Sequence, residues 1–326
     1  MISKERIIVT GGSGFIGTNL IDQLLNNNIE LINIDIKPPK KEEHISYWKQ
    51  CDVRKFDQLK PIIDDFQPTT IVHLAAKTDL NGKTLSDYSS NTDGVKNLIT
   101  STLQCKSLQL VLFASTRLVN RIGYQPKSDD DYSPTTLYGE SKMLGEKIIR
   151  DASSAIPYSW MILRPTSIWG PWFGTPYNDF FMTIIRSLYI HPRNYTIKKS
   201  FGYIGNTVYQ LEKLINSFPG EFNHKTSYLC DFEPIDVYAW AKQIATLYGG
   251  RPPLEVNLGF LKFVAKAGDL LKKLGYKEPP LTSFRLNNII TDMIYDTKDL
   301  QAFCGPLPFS QQEGIITTLD WLKKNK

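Results

Sequence analysis

Patterns that hold metals or disulfides are missing from this chain of 326 residues. Its four cysteines, Cys51, Cys105, Cys230 and Cys304, lie far apart, with no CxxC step and no dense disulfide framework. The four histidines, His44, His73, His191 and His224, form no HxxxH or HExxH pair, which argues against a zinc site. No stretch approaches the roughly 20 uncharged apolar residues of a membrane span. No basic run suggests a nucleic-acid patch, because the 38 basic and 33 acidic residues are interspersed and the net charge is only +5. Met1 to Thr10 carries Lys4, Glu5 and Arg6 and lacks the apolar core and cleavage site of a signal peptide. There is no internal repeat. The expectation is a soluble cytoplasmic protein with no nucleic-acid partner and no integral membrane contact.

What remains is an ordinary globular composition, 41% hydrophobic and 12% aromatic, long enough for two domains or one large sheet with an appendage. Short β-branched runs read as buried strands at Arg6–Thr10, Glu30–Ile36, Thr70–Leu74, Leu108–Ala114 and Trp160–Leu163. Helical spacing falls between them, at Phe15–Leu25, Leu59–Phe66, Asn91–Cys105 and Tyr138–Ala152. Strand and helix alternate, which predicts βαβ units, a parallel sheet and helices on both faces. After Arg164 the rhythm breaks at Pro165, Gly170, Pro171, Gly174 and Pro176. Helices are expected again at Phe180–Leu188, Thr207–Ser217, Ile235–Tyr248 and Gly314–Lys324, with a strand at Ser227–Cys230.

The first chemical signal is TGGSGFIG, Thr10 to Gly17, where Gly11, Gly14 and Gly17 form GxxGxxG. The first glycine permits a tight turn, the second lets backbone approach a pyrophosphate, and the third lets helix pack on strand. Such a pattern also occurs in turns without a ligand, but here it follows a buried strand and opens a helix, as a dinucleotide site requires. Asp35 ends the second strand. A carboxylate there accepts from both ribose hydroxyls and repels a 2′-phosphate, which favours NAD over NADP, although Lys37 is close by.

The second signal is YGESK, Tyr138 to Lys142. On a helix, Tyr138 and Lys142 at i and i+4 share one face. A phenol is a poor base at neutral pH, and an adjacent ammonium favours its anion.

With these pieces in order the chain resembles an extended short-chain dehydrogenase/reductase of the NAD-dependent sugar-nucleotide epimerase/dehydratase family. The resemblance rests on TGGSGFIG, Asp35, Asp52-Val53, His73-Leu74-Ala75-Ala76, Asn91 to Asn97, Ala114-Ser115-Thr116, YGESK and Leu163-Arg164-Pro165. It covers the first half specifically and the rest loosely. It implies an α/β fold, a Rossmann-type doubly wound parallel sheet with a smaller C-terminal substrate-binding domain. Residues 1–165 would form the NAD-binding domain, with returning segments around 200–248; residues 166–199 and 249–326 would mainly bind substrate. The implied cofactor residues are Gly11, Gly14, Phe15, Ile16, Gly17, Asp35, Asp52, Val53, Leu74, Ala75, Ala76, Tyr138, Lys142 and Pro165. Asp52 would hold the adenine amino group. The implied catalytic set is Thr116, Tyr138 and Lys142, with Ser115 the neighbouring alternative to Thr116. Tyr138 would exchange a proton with a carbinol oxygen that Thr116 holds, while hydride passes to or from NAD. The implied partners are a nucleotide-sugar substrate and a second copy in a homodimer.

Departures from the family narrow the reaction. The acid pair that 4,6-dehydratases carry after the catalytic Thr is Arg117 and Leu118 here, and arginine keeps its proton. The family's Tyr in Val-Tyr-Gly is Asn120, and its Val-Asp-Asp step is Ile204-Gly205-Asn206. The resemblance implies that the nucleotide diphosphate is held by Asn178, through its side-chain amide, and by Lys199 and Arg285 as phosphate-binding cations. Phe260 to Leu274 is the strongest amphipathic helix, with Phe260, Phe263, Val264, Ala267, Leu270, Leu271 and Leu274 on one side and Lys262, Lys266, Lys272 and Lys273 on the other. It is expected to pack within the substrate domain; membrane-surface association is the sharper alternative. The text that follows it, PPLTSFR and YDTKDL, is similar to the 3β-hydroxysteroid dehydrogenase branch. The expected function is C4 epimerisation or 4-ketoreduction/dehydrogenation of a sugar nucleotide. The alternatives are a hydroxysteroid dehydrogenase-like enzyme and a catalytically silent dinucleotide sensor.

Overall fold

Alternation along each strand decides which side of the sheet a residue meets. In the computed structural model, which describes residues 5–27, 29–174, 177–218, 220–276, 279 and 281–325, that alternation divides the apolar residues between two cores. Lys4, Pro176 and Pro280 lie outside the described residues. The chain begins with β1 (Arg6–Thr10), α1 (Phe15–Leu24), β2 (Glu30–Asp35), β3 (Trp48–Gln50), α2 (Phe56–Phe66) and β4 (Thr70–His73). It continues through α3 (Asp93–Thr102), β5 (Leu110–Ala114), α4 (Leu137–Asp151), β6 (Ser159–Pro165), β7 (Ser167–Trp169) and α5 (Tyr177–Ile185). Then come β8 (Ile190–Pro192), β9 (Lys198–Lys199), β10 (Phe201–Tyr203), α6 (Ile204–Asn216), β11 (Thr226–Leu229), β12 (Ile235–Asp236), α7 (Val237–Tyr248) and β13 (Leu254–Val256). The helices α8 (Leu258–Lys273), α9 (Ser283–Ile290), α10 (Lys298–Cys304) and α11 (Gln311–Lys324) complete it.

Seven strands form one parallel sheet in the order β11-β6-β5-β4-β1-β2-β3. The order reverses between β1 and β4, the crevice where an open α/β sheet binds its ligand. Ile7 and Val9 of β1, Val72 of β4 and Leu110 and Leu112 of β5 face the core closed by α1, α6, α7 and α11. Ile8, Ile71, Val111 and Phe113 face the core closed by α2, α3 and α4. Each of these four- or five-residue strands therefore serves both layers, which is why its sequence is apolar nearly throughout. All four cysteines are buried and unpaired.

The main strands and helices stand where the sequence predicts them, with ends shifted by a few residues. The three-residue edge strand β3 and the small ladders β7–β10, β8–β13 and β9–β12 have no counterpart in the sequence reading.

One expectation is overturned. α8 does not pack through its large apolar side. It buries Leu261, Ala265 and Gly268 against Leu286 of α9 and the neighbouring Leu281 and Ile290. Phe260, Phe263, Leu270, Leu271 and Leu274 are exposed. The reason is close approach: a Cβ on Gly268 would overlap the Leu281 carbonyl oxygen, so the backbone comes nearest along the small-residue side. Asp269 then accepts from the Ser283 amide at 3.1 Å and ties the two helices together.

Candidate functional site

The site gathers at the carboxyl ends of β1, β2, β4, β5 and β6. Gly11 leaves β1 with φ +72°, and a Cβ there would lie 2.6 Å from the Ala75 amide nitrogen. The glycine turn thus lies directly against Leu74 and Ala75, whose amides donate to the carbonyl and the hydroxyl of Thr10. A Cβ on Gly17 would fall 2.5 Å from the Gly11 oxygen, so only glycine lets α1 start here. Gly14 caps α1, and no acidic residue in its first turn offsets the positive helix end. Phe15 and Ile16 form that first turn, and the Phe15 ring meets Phe173 at 6.4 Å.

Asp35 is fixed from two sides. The Ser13 amide donates to Oδ2 at 3.1 Å and the Lys37 amide to Oδ1 at 3.0 Å. Burial raises this carboxyl above its ordinary value, and the two amides oppose that shift. Ser13 also donates from its hydroxyl to the Lys37 carbonyl, so it couples the glycine turn to the end of β2. Sequence reasoning missed Ser13, although it lies inside the quoted motif. Asp52 pairs with Arg54, which holds its carboxyl below the usual range, and Val53 is buried against Gly94. His73 is a packed strand residue: Thr10 bonds its Nδ1 at 2.7 Å and burial lowers it to about 3, so the ring is neutral. Pro165 closes β6 in the interior, paired with Leu229.

Thr116 follows β5, and its hydroxyl accepts from the Leu118 amide at 3.2 Å, capping the short turn Arg117–Val119. The first turn of α4 rests on that turn: a Cβ on Gly139 would overlap the Leu118 oxygen. Thr116 is therefore locked to the helix that carries Tyr138 and Lys142. Tyr138 is buried, with Tyr88 packed against it at 6.2 Å. Lys142 donates to the Ala114 carbonyl at the end of β5. Burial pulls its ammonium down to about 8, and Glu146 opposes the shift. Asn91 reaches the same helix through a 2.9 Å bond to Ser141.

Ser115 points the other way. Its hydroxyl donates to Glu146 Oε1 at 2.5 Å, inside a buried cluster where Arg164 grips the same carboxylate at 2.9 and 2.7 Å and Tyr132 donates at 2.9 Å. Of the two adjacent hydroxyls, Thr116 is the one left outside that network. Glu146 and Arg164 hold α4, the helix of Tyr138 and Lys142, to β5 and β6. Sequence reasoning quoted Arg164 without a role and passed over Glu146, although Tyr138, Lys142 and Glu146 repeat at i, i+4 and i+8.

The three candidate substrate contacts have different fates. Asn178 has a buried Oδ1 without a partner among the described residues. Lys199 is turned inward, its ammonium taken by the carbonyls of Asn288 and Thr291 at the end of α9. Burial first, and Arg117 second, lower it to about 8. Arg285 is exposed and donates to the Pro279 carbonyl at 3.0 Å. Both cations thus donate to backbone carbonyls. No cluster of metal-ligating side chains stands among the described residues.

A model of the NAD dependent epimerase/dehydratase family matches residues 7–198. A 3-beta-hydroxysteroid dehydrogenase of Mycolicibacterium neoaurum is 27% identical over 92% of this chain and 90% of its own length. An N-acetyl-alpha-D-glucosaminyl-diphospho-ditrans,octacis-undecaprenol 4-epimerase of Escherichia coli O157:H7 is 22% identical over 98% of this chain and 95% of its own. Among solved structures, the UDP-glucose 4-epimerase of Thermotoga maritima with UDP-glucose superposes with a TM-score of 0.75 at 17% identity, covering 98% of this chain and 99% of that one. The Thermus thermophilus UDP-glucose 4-epimerase with NAD gives 0.71 at 18% identity over 98% and 99%.

Proposed function

Because the chain belongs to the NAD-dependent epimerase/dehydratase family, we propose that it acts at one carbinol carbon, C4, of a nucleotide-activated sugar, as an epimerase or a 4-ketoreductase/dehydrogenase. NAD is its cofactor, and the residues suit it. Gly11, Gly14 and Gly17 leave room for a pyrophosphate over the α1 N-terminus, where any Cβ on Gly11 or Gly17 would already meet backbone. The Asp35 carboxylate, held in place by two amides, accepts from the ribose diol. When bound, the nicotinamide ring supplies the hydride acceptor and donor.

The chain's own residues do the rest. As the C4–H bond breaks with its electron pair, the Tyr138 oxygen takes the hydroxyl proton and a ketone is left. In the return step Tyr138 gives that proton back to the ketone oxygen. Thr116 hydrogen-bonds the same oxygen, and the Lys142 ammonium favours the phenolate. Arg117 and Leu118 supply no acid and base for elimination across C5 and C6, so no 4,6-dehydratase activity is expected. Residues 166–199 and 249–326 carry most of the sugar-nucleotide contacts, with Asn178 the best placed of the candidates.

The observation that supports this most is the fit of Gly139 beneath the Leu118 carbonyl, which joins the Thr116 turn to the Tyr138–Lys142 helix. A second reading, hydroxysteroid dehydrogenation, draws on the 27% identical relative and on the apolar side that α8 leaves exposed. One experiment separates them. The enzyme is incubated with NAD in deuterated water, in parallel with nucleotide hexoses and with 3β-hydroxysteroids, and products are read by NMR. C4 inversion of a nucleotide hexose supports the first reading. Steroid oxidation with every nucleotide sugar untouched selects the second. Deuterium at C5 with loss of the 6-hydroxyl contradicts the assignment of Arg117 and Leu118.

A further inference from the structure

α8 has two apolar sides and uses only one. Leu261, Ala265 and Gly268 meet α9. The other side runs through Phe263, Ala267, Leu270 and Leu274, which follow one another at i, i+4, i+7 and i+11 and so form one continuous stripe. Phe263 is 70% exposed and Leu274 75%, with Phe260 and Leu271 exposed beside them. Phe284 of α9, 69% exposed, and Tyr276 are two further exposed aromatic side chains of this hairpin. A lone exposed leucine needs no explanation, but large apolar side chains concentrated on one helical hairpin do.

Charge indicates what covers it. Lys262, Lys266 and Lys273 each lie one position before a member of the stripe and run parallel to it along one flank. In α8 the sole acidic residue is Asp269, and it is engaged with Ser283. Two copies meeting face to face would bring these lysine rows together and repel. A layer of anionic headgroups over acyl chain satisfies both: phenylalanine and leucine enter the boundary while lysines stay with phosphate. The 16 residues of α8 measure about 24 Å, short of the roughly 30 Å hydrocarbon layer, and no helix among the described residues is long and apolar enough to cross a membrane. The helix can only lie along such a surface.

We infer that the α8–α9 hairpin docks the protein on an anionic lipid surface, with the Phe263–Ala267–Leu270–Leu274 stripe in the headgroup boundary and the lysine row on phosphate. This goes beyond the proposed reaction and does not depend on it. The hairpin also carries the Asn288 and Thr291 carbonyls that take Lys199, a lysine close enough to Arg117 for its charge to be felt. Docking would therefore set the membrane against an element that reaches back toward the residue following Thr116.

The test is flotation of the full chain with vesicles of phosphatidylcholine plus phosphatidylglycerol, against phosphatidylcholine alone, at low and high salt. Binding is expected to the mixed vesicles, to be weaker on the neutral ones, and to fall with salt. Phe263→Ser with Leu270→Ser should reduce it by about tenfold or more, and Lys262→Glu with Lys266→Glu and Lys273→Glu should abolish the preference for phosphatidylglycerol. Both sets lie outside the α8–α9 packing, and unchanged thermal unfolding confirms that they fold. No flotation with the mixed vesicles overturns the inference, as does flotation that the serine pair leaves unaltered. Sedimentation showing a dimer that the serine pair dissolves, without vesicle binding, would assign the stripe to a second copy instead.

Discussion

Ser115 and Thr116 are chemically alike and adjacent, yet burial gives them different tasks. Ser115→Ala removes one bond to Glu146 and should cost about 1 kcal/mol of stability with turnover retained. Thr116→Ala removes the cap on the Arg117–Val119 turn, so it should cost about as much stability, but it should also lower kcat roughly 100-fold, as loss of a donor to the reacting oxygen does. Denaturant midpoints and steady-state rates on both variants check this, and the reverse pattern would put Ser115 in the site. Lys142 has its own signature. Its ammonium is brought down to about 8 by burial, so it releases its proton as pH rises past that value. The neutral amine no longer favours the phenolate, and kcat/KM should decline above about pH 8. A profile flat to about pH 9 or beyond would separate Lys142 from catalysis. At this scale the sequence was legible where a motif fixes the local backbone, as at Gly11, Gly17 and Tyr138. It was silent where a side chain's partner is distant in the chain. Lys199 is charged and well placed by resemblance, but carbonyls about ninety residues away take it.

Besides its apolar side and Lys142, helix α4 is tied to the sheet by one carboxylate with several partners. Glu146 joins it to β6 through Arg164, to the end of β5 through Ser115, and to the preceding loop through Tyr132. Glu146→Gln keeps the shape and removes the charge, leaving Arg164 buried without its counter-ion. Losing one partner of such a pair costs about 3–5 kcal/mol, so the urea midpoint should fall sharply. A midpoint within error of the parent would mean that the cluster adds nothing to the attachment of α4. The elements themselves were readable in proportion to their length and periodicity. β1, β4 and β5 announce themselves because residues buried on both faces must all be apolar. β3 is three residues at an edge and leaves no period to detect. For α8 the period was right and the buried side wrong, since pattern alone cannot tell which of two apolar sectors meets the protein. The deciding residue was Gly268, whose missing side chain admits the Leu281 carbonyl.

Across the whole molecule, pH should act on stability through Asp231. This carboxyl is buried between the Tyr203 amide and Asn206, and burial raises it from 3.8 to about 7. Between those values the folded chain keeps a proton that the unfolded chain has released. Stability contributed here is therefore present in acid and lost as pH climbs toward about 7, on the order of 4 kcal/mol in total. The difference in unfolding free energy between the parent and Asp231→Asn, measured at several pH values, should change over that window and be constant above it. A difference independent of pH would show that Asp231 titrates alike in the folded and the unfolded chain. The sheet also partitions the four thiols. Cys51 and Cys105 belong to the layer under α2 and α3, Cys304 to the opposite layer, and Cys230 sits at the end of β11, wholly covered. A sulfur sealed in this way meets reagent only when its surroundings open. The chain thus carries four dormant clocks: the native enzyme should ignore a maleimide during mixing, and under mild denaturant the cysteine modified first will name the layer that loosens first.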